Sequence, residues 1–447
     1  MSESLKVREE SKVADVARRA KAASRALAVL PVARRDEILL TAAALIEERT
    51  AEILTANELD CRAARPDVEQ GRMTRSMFER LQTSARGVRQ MAAGIREVAA
   101  LADPLGHELA VTELDDGLTL YKLTCPLGVV GVVFESRPDV IPQVAALALK
   151  SGNALLLKGG AEAAHTNEAL VSIWHEALRR FDDVPADALN LLHTREDVSS
   201  MLERDGEIDL IIPRGSKEFV RYVAEHSRIP VLGHGEGICH VYVDRAADLS
   251  KAGEIAFDSK VQYPAACNAA ETLLVHEEVA SEFLPAMVER YLCAGVEVRG
   301  CPRTLSLAAS KSIAAATEED WATEYSDLII SIKVVASSDE AIRHIHVYGS
   351  GHTECIVTED PAAAALFLES VDAAGVYHNA STRFADGFRY GFGAELGIST
   401  GKLHARGPVG LEGLTTYKYR LEGSGQTVAS YSSGERSFKH RKIKAEG

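Results

Sequence analysis

Cys267 lies in the stretch YPAACNAAE, between small alanines and Asn268 and directly before an apolar run. A cysteine in this position has four interpretations: a buried filler, half of a disulfide, a metal ligand or a nucleophile. A thiolate is the best nucleophile that a protein offers at neutral pH, although only a few per cent of a free cysteine is ionised there. Taken alone, these residues favour the filler, because unpaired cysteines are commonly small buried hydrophobes.

The seven cysteines of the chain form no recognisable framework. Their number is odd and no two stand in a C-x-x-C pair, so the spacing is not that of a disulfide scaffold or a zinc ribbon. His344, His346, His352 and Cys355 are close enough in sequence to be considered as zinc ligands. However, DEAIRHIHVYG has the pattern of a helix, in which residues two apart point to different sides. We therefore predict no metal site.

A strand, a turn and a helix are predicted in IDLIIPRGSKEFVRYVAEHS. Gly215 lets a ligand approach the backbone, and Ser216 is the expected N-cap of the helix that follows. The amides at a helix N-terminus attract phosphate. An ordinary capped helix explains the same pattern, and the dinucleotide fingerprint G-x-G-x-x-G is missing after the first strand of the series.

The elements that position these residues change character along the chain. Residues 8–100 have helical periodicity, whereas LAVTELDDGLTLYKLTCPLG alternates like two strands joined at Asp115-Asp116-Gly117. Next, GVVGVVFE, NALLLKGG and LNLLH are predicted strands separated by helices. Such a series predicts a parallel sheet and a doubly wound α/β domain. The polar C-terminal segment is either a closing strand with a frayed tail or a subunit contact.

Length and charge exclude several classes of protein. A chain of 447 residues is too long for one ordinary core, so two or more domains are expected. No apolar run approaches the roughly 18 residues of a membrane span, and the Ala-rich N-terminus does not resemble a signal peptide, so we expect a cytoplasmic protein without a membrane partner. A net charge of −15 argues against nucleic acid. An anionic substrate would need local arginines.

Several long motifs together resemble one known family. CPLGVVGVVFESRPDV, IIPRGS, VLGHGEGICHVYVD and YPAACNAAETLLVH occur in the order found in the γ-glutamyl phosphate reductases of the aldehyde dehydrogenase superfamily. The stretch from Val335 to Val357 is similar to the pattern that distinguishes these reductases within the superfamily. The resemblance covers residues from about 10 to about 435. It implies an aldehyde dehydrogenase-like α/β fold, with two doubly wound domains and a β-ribbon oligomerisation element.

The activity that the resemblance implies is a reduction in proline biosynthesis. L-glutamyl 5-phosphate is reduced by NADPH to L-glutamate 5-semialdehyde plus phosphate, through a thioester on a cysteine. A second hypothesis is an aldehyde dehydrogenase of the same fold that acts on another acyl phosphate or acyl thioester. A third is a scaffold subunit that binds the glutamate kinase without catalysis. The Cys267 motif argues against the scaffold, and the Val335–Val357 pattern argues against the other substrate.

By the same resemblance Cys267 is the nucleophile. Its own amide and the side chain of Asn268 are candidates for an oxyanion hole. Superfamily members that hydrolyse their thioester carry a general-base Glu at a position that falls here on Leu232 or Gly233, depending on register. Neither residue is a base, as expected for a reductase, although Glu236 lies close by in sequence.

The resemblance also assigns the cofactor and substrate contacts. Lys158 is expected at the adenosine ribose, Gly215 and Ser216 at the pyrophosphate, and Glu324 at the nicotinamide ribose. Ala161 stands where family members often have a basic residue for the 2′-phosphate, so we expect NADP and leave NAD open. The residues expected to hold the acyl phosphate are Ser136 and Arg137, and those expected to hold the α-carboxylate are Ser381, Thr382 and Arg383.

Three domains are predicted from these assignments. Residues 1–108 and 128–234 form a cofactor-binding domain, and residues 235–405 form a catalytic domain. The ribbon at 109–127 and the segment 406–447 are expected to form the interface of a homo-oligomer, because an isolated monomer would expose unpaired strand edges. Glutamate kinase is the expected protein partner.

Overall fold

A computed structural model describes residues 3–233, 235–308 and 312–443 of the chain. Backbone contacts divide it into two compact units. The first unit comprises the chain up to Leu232, Phe392–Leu396 and the chain from Val409 onward. The second unit comprises Gly233–Gly391 and Gly397–Pro408. The assignment of these units to cofactor binding and to catalysis stays a prediction.

The helical region predicted over residues 8–100 is confirmed. Pro31 precedes the second helix, while Thr74 and Ser84 cap the fourth and fifth by accepting the Met77 and Gly87 amides. The apolar residues at spacings of three and four are buried, as at Ile38 and Leu45. The helices are α1 (Glu3–Leu27), α2 (Val32–Glu48), α3 (Thr50–Glu69), α4 (Arg75–Leu81) and α5 (Ala85–Ala100).

The predicted hairpin is also confirmed, as an antiparallel pair of strands, β1 (Glu108–Asp115) and β2 (Leu118–Pro126). Asp115 pairs with Leu118, so Asp116 and Gly117 form a two-residue turn. Gly117 has a φ of +67°, which is why a glycine is needed there.

A four-stranded parallel sheet with helices forms the core of the first unit. Its two middle strands are buried throughout, as is usual where helices cover both faces of a parallel sheet. Because the four strands run parallel, their carboxyl ends meet at one edge of the sheet. In the order in which they occur along the chain, the elements are β3 (Val129–Phe134), α6 (Val140–Lys150), β4 (Ala154–Lys158), α7 (Ala164–Arg179), β5 (Leu189–Leu192), α8 (Arg195–Leu202), β6 (Leu210–Arg214) and α9 (Lys217–His226), and the strand order is β5-β4-β3-β6.

The second unit contains a seven-stranded parallel sheet. The strands are β7 (Cys239–Val243), β8 (Ala270–His276), β9 (Glu297–Gly300), β10 (Ala314–Ala315), β11 (Ile329–Val335), β12 (Thr353–Val357) and β13 (Gly375–His378), in the order β10-β9-β11-β8-β7-β12-β13. The helices are α10 (Leu249–Val261), α11 (Glu277–Cys293), α12 (Pro302–Leu307), α13 (Ser338–Tyr348) and α14 (Pro361–Ser370).

The central strand β8 is buried along its whole length because it packs on both faces. Leu273 and Val275 belong to a hydrophobic cluster with Phe283 of α11. Leu274 belongs to a second cluster, with Ile345 of α13. Helices on both faces of the sheet hold the strand ends, and the loops at those ends, in fixed positions.

The C-terminal part of the chain returns to the hairpin of the first unit. Before this return, β14 (Ile398–Ser399) pairs with β15 (Gly407–Pro408) within the second unit; the first unit then continues with β16 (Thr415–Glu422), α15 (Val428–Ser432) and β17 (Arg441–Ile443). β16 pairs with β2 and β17 pairs with β1, which gives a four-stranded antiparallel sheet in the order β16-β2-β1-β17. We call it the ribbon sheet. The C-terminal segment therefore supplies closing strands, up to the last described residue, Ile443.

Within the described ranges, no helix is both long and apolar enough to cross a membrane. Short 3₁₀ helices complete the description: Ala161–Ala163, Ala186–Ala188, Glu319–Ala322, Thr382–Phe384 and Glu412–Leu414.

Candidate active site

Cys267 lies in the loop between α10 and β8, with its side chain partly accessible. Gly237 approaches this loop so closely that a methyl group on it would overlap the carbonyl group of Cys267. The thiol of buried Cys239 donates to the same carbonyl oxygen, at 3.4 Å. The backbone of Cys267 is thus held by the chain just before β7 and by the first residue of that strand.

His352 is in direct contact with the Cys267 thiol. Its Nε2 lies 3.2 Å from Sγ of Cys267, and its Nδ1 lies 2.9 Å from the hydroxyl of Thr353. The imidazole is fully buried. The His352 carbonyl oxygen accepts the Gly375 amide, which fixes the backbone as well. A cysteine and a histidine in this arrangement can exchange a proton.

The strand order explains why residues so distant in sequence meet. Gly237, Cys267 and His352 each precede a strand, namely β7, β8 and β12. These three strands are neighbours in the order β8-β7-β12 and run parallel. The residues before them therefore lie along one edge of the sheet, the amino edge.

Arg383 provides a positive charge near Cys267. Its guanidinium is largely buried, and its Nε donates to Gln262 at 2.9 Å. Burial lowers the pKa of Arg383, neighbouring Arg389 lowers it further, and a negative charge on Cys267 opposes both. Its two terminal nitrogens have no hydrogen-bond partner among the described residues. They are therefore available for an anion close to the thiol.

Asn268 is buried beside the cysteine. Its side-chain nitrogen donates to the Ala385 carbonyl oxygen at 2.8 Å, and its side-chain oxygen has no hydrogen-bond partner within the described part of the chain. One proton of the amide nitrogen remains after this bond. That proton and the Cys267 amide are the donors that an oxyanion hole would use, and this role stays a prediction.

The side chains of Ser381 and Thr382 are buried in the turn that leads to Arg383. Ser381 is buried; its hydroxyl accepts from Ser259, at 3.2 Å, and from the Arg383 amide, at 3.3 Å. Thr382 is fully buried. Both therefore shape the turn that presents Arg383, and a direct contact of either hydroxyl with substrate stays a prediction.

A buried ion pair flanks the Cys267 loop. Nζ of Lys260, in the last turn of α10, lies 2.5 Å from a carboxylate oxygen of Glu271, the second residue of β8. The other Glu271 oxygen accepts the Ser326 amide at 3.2 Å. Glu324, the residue expected at the nicotinamide ribose, is half-buried on the same loop as Ser326 and its charge contributes to raising the pKa of Glu271.

In the first unit, Lys158 ends β4, and its side chain is almost completely buried. Burial lowers the pKa of its ammonium group, and the charges of Glu162 and Arg195 act on it in opposite directions. The ammonium has no hydrogen-bond or ion-pair partner among the described residues. A buried ammonium group without such a partner is stabilised when a polar or anionic ligand binds to it.

Ser136 and Arg137 follow β3 at the same carboxyl edge. Ser136 has a φ of +41°, which is unusual for a residue with a side chain. Its amide and hydroxyl both donate to Glu162, each at 2.7 Å. Arg137 is half-buried and forms no ion pair with any described residue, which suits it to an incoming anion.

The turn after β6 has the predicted geometry with one addition. Ser216 caps α9 by accepting the Phe219 amide at 3.3 Å, and Val223 is buried, as expected. The Ser216 amide, however, donates to the carboxylate of Glu135 at 3.1 Å. The same carboxylate lies against Gly215. An anion already occupies the position where a pyrophosphate is predicted.

The histidines considered as zinc ligands have other surroundings. Over the described ranges, no group of three or more His, Cys, Asp or Glu side chains is arranged to hold a metal ion. His344 lies in α13, as predicted, and accepts a hydrogen bond from Lys333 at 3.1 Å. Burial lowers the pKa of His344 to about 2, so it remains neutral. His240 is paired with buried Glu354 at 2.9 Å.

Comparisons with known proteins identify the family. The aldehyde dehydrogenase family model matches residues 3–298. A γ-glutamyl phosphate reductase from Synechococcus sp. (strain JA-3-3Ab) is 54% identical over 423 residues, which are 94% of this chain and 92% of the relative. One from Haloquadratum walsbyi is 53% identical over 437 residues, 96% and 94% of the two chains. This chain belongs to the γ-glutamyl phosphate reductases of the aldehyde dehydrogenase family.

A solved structure supports the same family. The crystal structure of γ-glutamyl phosphate reductase from Thermotoga maritima is 42% identical, with a TM-score of 0.89, and the match covers 93% of this chain and 99% of that chain. The aldehyde dehydrogenase-like α/β fold expected from the motifs is confirmed.

His352 is the site residue that the sequence reasoning missed. The sequence pattern suggests it only as a metal ligand together with residues of a helix, whereas it lies just before a strand. The pattern GSGHTECIV, a Gly-containing turn followed by a buried strand, places His352 at a strand end. Its contact with Cys267 follows only from the strand order.

We expect Gly237→Ala to inactivate the site, because the new methyl group must displace the backbone of Cys267. Misplacement of a reacting group by about 1 Å costs on the order of a hundredfold in rate. The measurement is the rate of Cys267 alkylation together with reductase activity. Gly235→Ala is the control, since its methyl group would meet no atom within 4 Å. Equal rates in both variants would show that Gly237 does not position the cysteine.

Proposed function

We propose that this chain catalyses the NADPH-dependent reduction of L-glutamyl 5-phosphate to L-glutamate 5-semialdehyde and phosphate, a step of proline biosynthesis. The observation that carries the proposal is the accessible Cys267 thiol, in contact with His352 and close to the Arg383 guanidinium, in a chain that belongs to the γ-glutamyl phosphate reductases. None of the seven cysteines, all of which lie in the described ranges, forms a disulfide, in keeping with a reducing cytoplasm.

The chemistry requires a nucleophile because hydride does not add readily to a carboxylate. The Cys267 thiolate attacks the acyl carbon, an S–C bond forms, and phosphate leaves with the electron pair of the C–O bond. NADPH, when bound, supplies a hydride to the thioester carbonyl. The Cys267 amide and the remaining Asn268 N–H donate to the oxygen on which negative charge develops. Expulsion of the thiolate then releases the aldehyde.

The substrate carries two anionic groups in an acidic protein. The two free nitrogens of Arg383 support a forked contact with the α-carboxylate. Arg137, without an ion-pair partner among the described residues, is proposed for the acyl phosphate. Ser136, Ser381 and Thr382 support these arginines through the turns that carry them. A glutamate kinase, which makes the labile acyl phosphate, is the proposed partner that delivers it.

We expect Cys267→Ala to abolish the reaction, by more than about a thousandfold, because no other group can form the acyl bond. Cys267→Ser should be nearly as inactive, since a hydroxyl ionises far less readily than a thiol. The measurement is phosphate-dependent reduction of NADP by glutamate semialdehyde, the reverse reaction. The control is Cys293→Ala, which replaces an exposed cysteine at the end of α11.

Substantial activity in Cys267→Ala would exclude the covalent route and leave direct hydride attack on the acyl phosphate. Activity of the intact chain with another acyl phosphate or an acyl thioester, and none with glutamate semialdehyde, would favour the alternative dehydrogenase.

The preference for NADP is proposed to come from two basic residues at the carboxyl edge of the first sheet. Lys158 pairs with Leu192 in register, and exposed Arg195 begins α8 only three residues later. Arg195 is close enough for its charge to lower the pKa of Lys158. It can therefore supply the positive charge for the 2′-phosphate that Ala161 lacks.

Arg195→Ala should weaken NADPH binding about 10- to 100-fold, because a charge-assisted hydrogen bond is worth about 1.5–3 kcal/mol. NADH binding should not change, since it has no 2′-phosphate. Fluorescence titration gives both dissociation constants without turnover. Arg62→Ala, an exposed arginine of α3, controls for the loss of a surface charge. Equal weakening for both cofactors would remove Arg195 from 2′-phosphate recognition.

The ribbon sheet is proposed as the contact between copies of this chain. β16 forms one edge of the sheet, and its Tyr417, Tyr419 and Leu421 are exposed on one face. Unpaired strand edges and exposed apolar side chains favour association. Asn268, Lys158, Glu324 and the other site residues are outside this sheet.

Sedimentation velocity at micromolar concentration should therefore show a homo-oligomer. Leu421→Lys should shift the distribution towards the monomer, because it places a charge in the contact. Leu366→Lys introduces the same charge at an exposed leucine of α14 and should leave the distribution unchanged. A monodisperse monomer of the unmodified chain would rule out the ribbon contact.

A further inference from the structure

We propose that His352 is a catalytic residue that takes the proton of Cys267, so that the pair rests as imidazolium and thiolate and the imidazolium persists while the sulfur is acylated. This inference rests on the proposed role of Cys267 as the nucleophile. The ionisation itself can be measured without substrate or cofactor, however, so the two proposals can fail separately.

The hydrogen bonds of His352 define the direction of proton transfer. Nδ1 lies 2.9 Å from the Thr353 hydroxyl, which can accept its proton. Nε2 is then the basic nitrogen, and it faces Sγ of Cys267 at 3.2 Å. Because the ring is fully buried and its backbone carbonyl is bonded to Gly375, this orientation is fixed before substrate arrives.

The charges around the pair favour the ionised form. Arg383, on the turn after β13, is close enough for its charge to interact with that of Cys267, so it stabilises a thiolate. Cys239, which also approaches Nδ1 of His352, at 3.7 Å, does not compete for the proton, because burial raises its pKa well above the usual value. The nearby Lys260 and Glu271 neutralise each other.

Glu354, two residues after His352, is a further charged group on β12. Its carboxylate accepts a hydrogen bond from the His240 amide and forms another with Nδ1 of His240. Glu354 is therefore paired with His240, and the hydrogen bonds of the two His352 nitrogens described above do not involve it. The 3.2 Å contact between Nε2 and Sγ is the one through which the thiol proton is transferred.

The proton balance explains why no further base is needed. In the resting pair the S–H bond is broken, its electron pair stays on sulfur and the proton is on Nε2. Attack on the acyl phosphate consumes the thiolate and leaves the imidazolium unchanged. When the tetrahedral species collapses after hydride addition, the sulfur returns as a thiolate to the same imidazolium. The overall reaction consumes one proton from solvent, which the leaving phosphate takes up, so neither thiolate formation nor aldehyde release needs a further base.

The same balance protects the thioester. An imidazolium has no free electron pair on Nε2, so it cannot deprotonate a water molecule while the acyl group is attached. Neither Leu232 nor Gly233 carries a side chain that can do so. His352 thus activates the cysteine without becoming the base that would hydrolyse its product.

The test is the pH dependence of Cys267 alkylation by iodoacetamide, read by mass spectrometry in a Cys293→Ala background. In the protein with His352 the rate should be nearly constant from pH 8.5 down to about pH 6. In His352→Gln it should fall about 16-fold between pH 8.5 and 7, following an ordinary thiol with a pKa of about 8.5. His226→Gln, on exposed α9, should behave like the unmodified chain.

Two further measurements keep the outcome decisive. If His352→Gln does not fold, Thr353→Val removes the partner of Nδ1 while keeping the side-chain shape, and should shift the profile in the same direction. In His352→Ala, added imidazole should restore alkylation at pH 7. An unchanged profile in His352→Gln and Thr353→Val would overturn the proposal. If the profile shifts in His352→Gln but the unmodified chain has no activity on glutamyl phosphate, the proton-sharing pair stands and the proposed substrate is wrong.

Discussion

The buried ion pair between Lys260 and Glu271 is the constraint on which the site depends. It joins the end of α10 to the start of β8, and the loop with Cys267 lies between these two points. Removing either partner would leave an uncompensated buried charge, at a cost of about 3–5 kcal/mol. Because the second carboxylate oxygen binds the Ser326 amide, one interaction fixes both the cysteine loop and the loop that carries Glu324.

Each unit collects its polar residues at one edge of a parallel sheet, but the edges are of opposite kind. In the first unit Ser136 and Gly215 follow strands and Lys158 ends one, at the carboxyl edge where α/β sheets usually bind ligands. In the second unit Cys267 and His352 precede strands. The difference has a physical use: the carboxyl edge offers helix N-termini and flexible turns to a ligand, whereas the amino edge supplies rigid backbone that holds a small reacting group.

Much of this arrangement could be predicted from sequence where the signal is local. The helices over 8–100, the turn at Asp116 and Gly117, the N-cap at Ser216 and the helix that contains His344 all follow from propensity and periodicity, and all are present. The contact of His352 with Cys267 could not be predicted in this way, because it depends on β7 lying between β8 and β12, which is a property of topology. The sequence reasoning likewise grouped Ser381 and Thr382 with Arg383 by proximity, although backbone geometry gives the three side chains different surroundings.

Glu135 bears on the proposed pyrophosphate contact at the start of α9. Its carboxylate accepts the Ser216 amide, so one donor at this helix end already has an acceptor within the chain. If the proposed pyrophosphate contact forms here, it exchanges one acceptor of this amide for another, and only the difference between the two interactions contributes to affinity. An internal acceptor of this kind would compete with any nucleotide for the amide and so lower the affinity for the reduced and the spent cofactor alike.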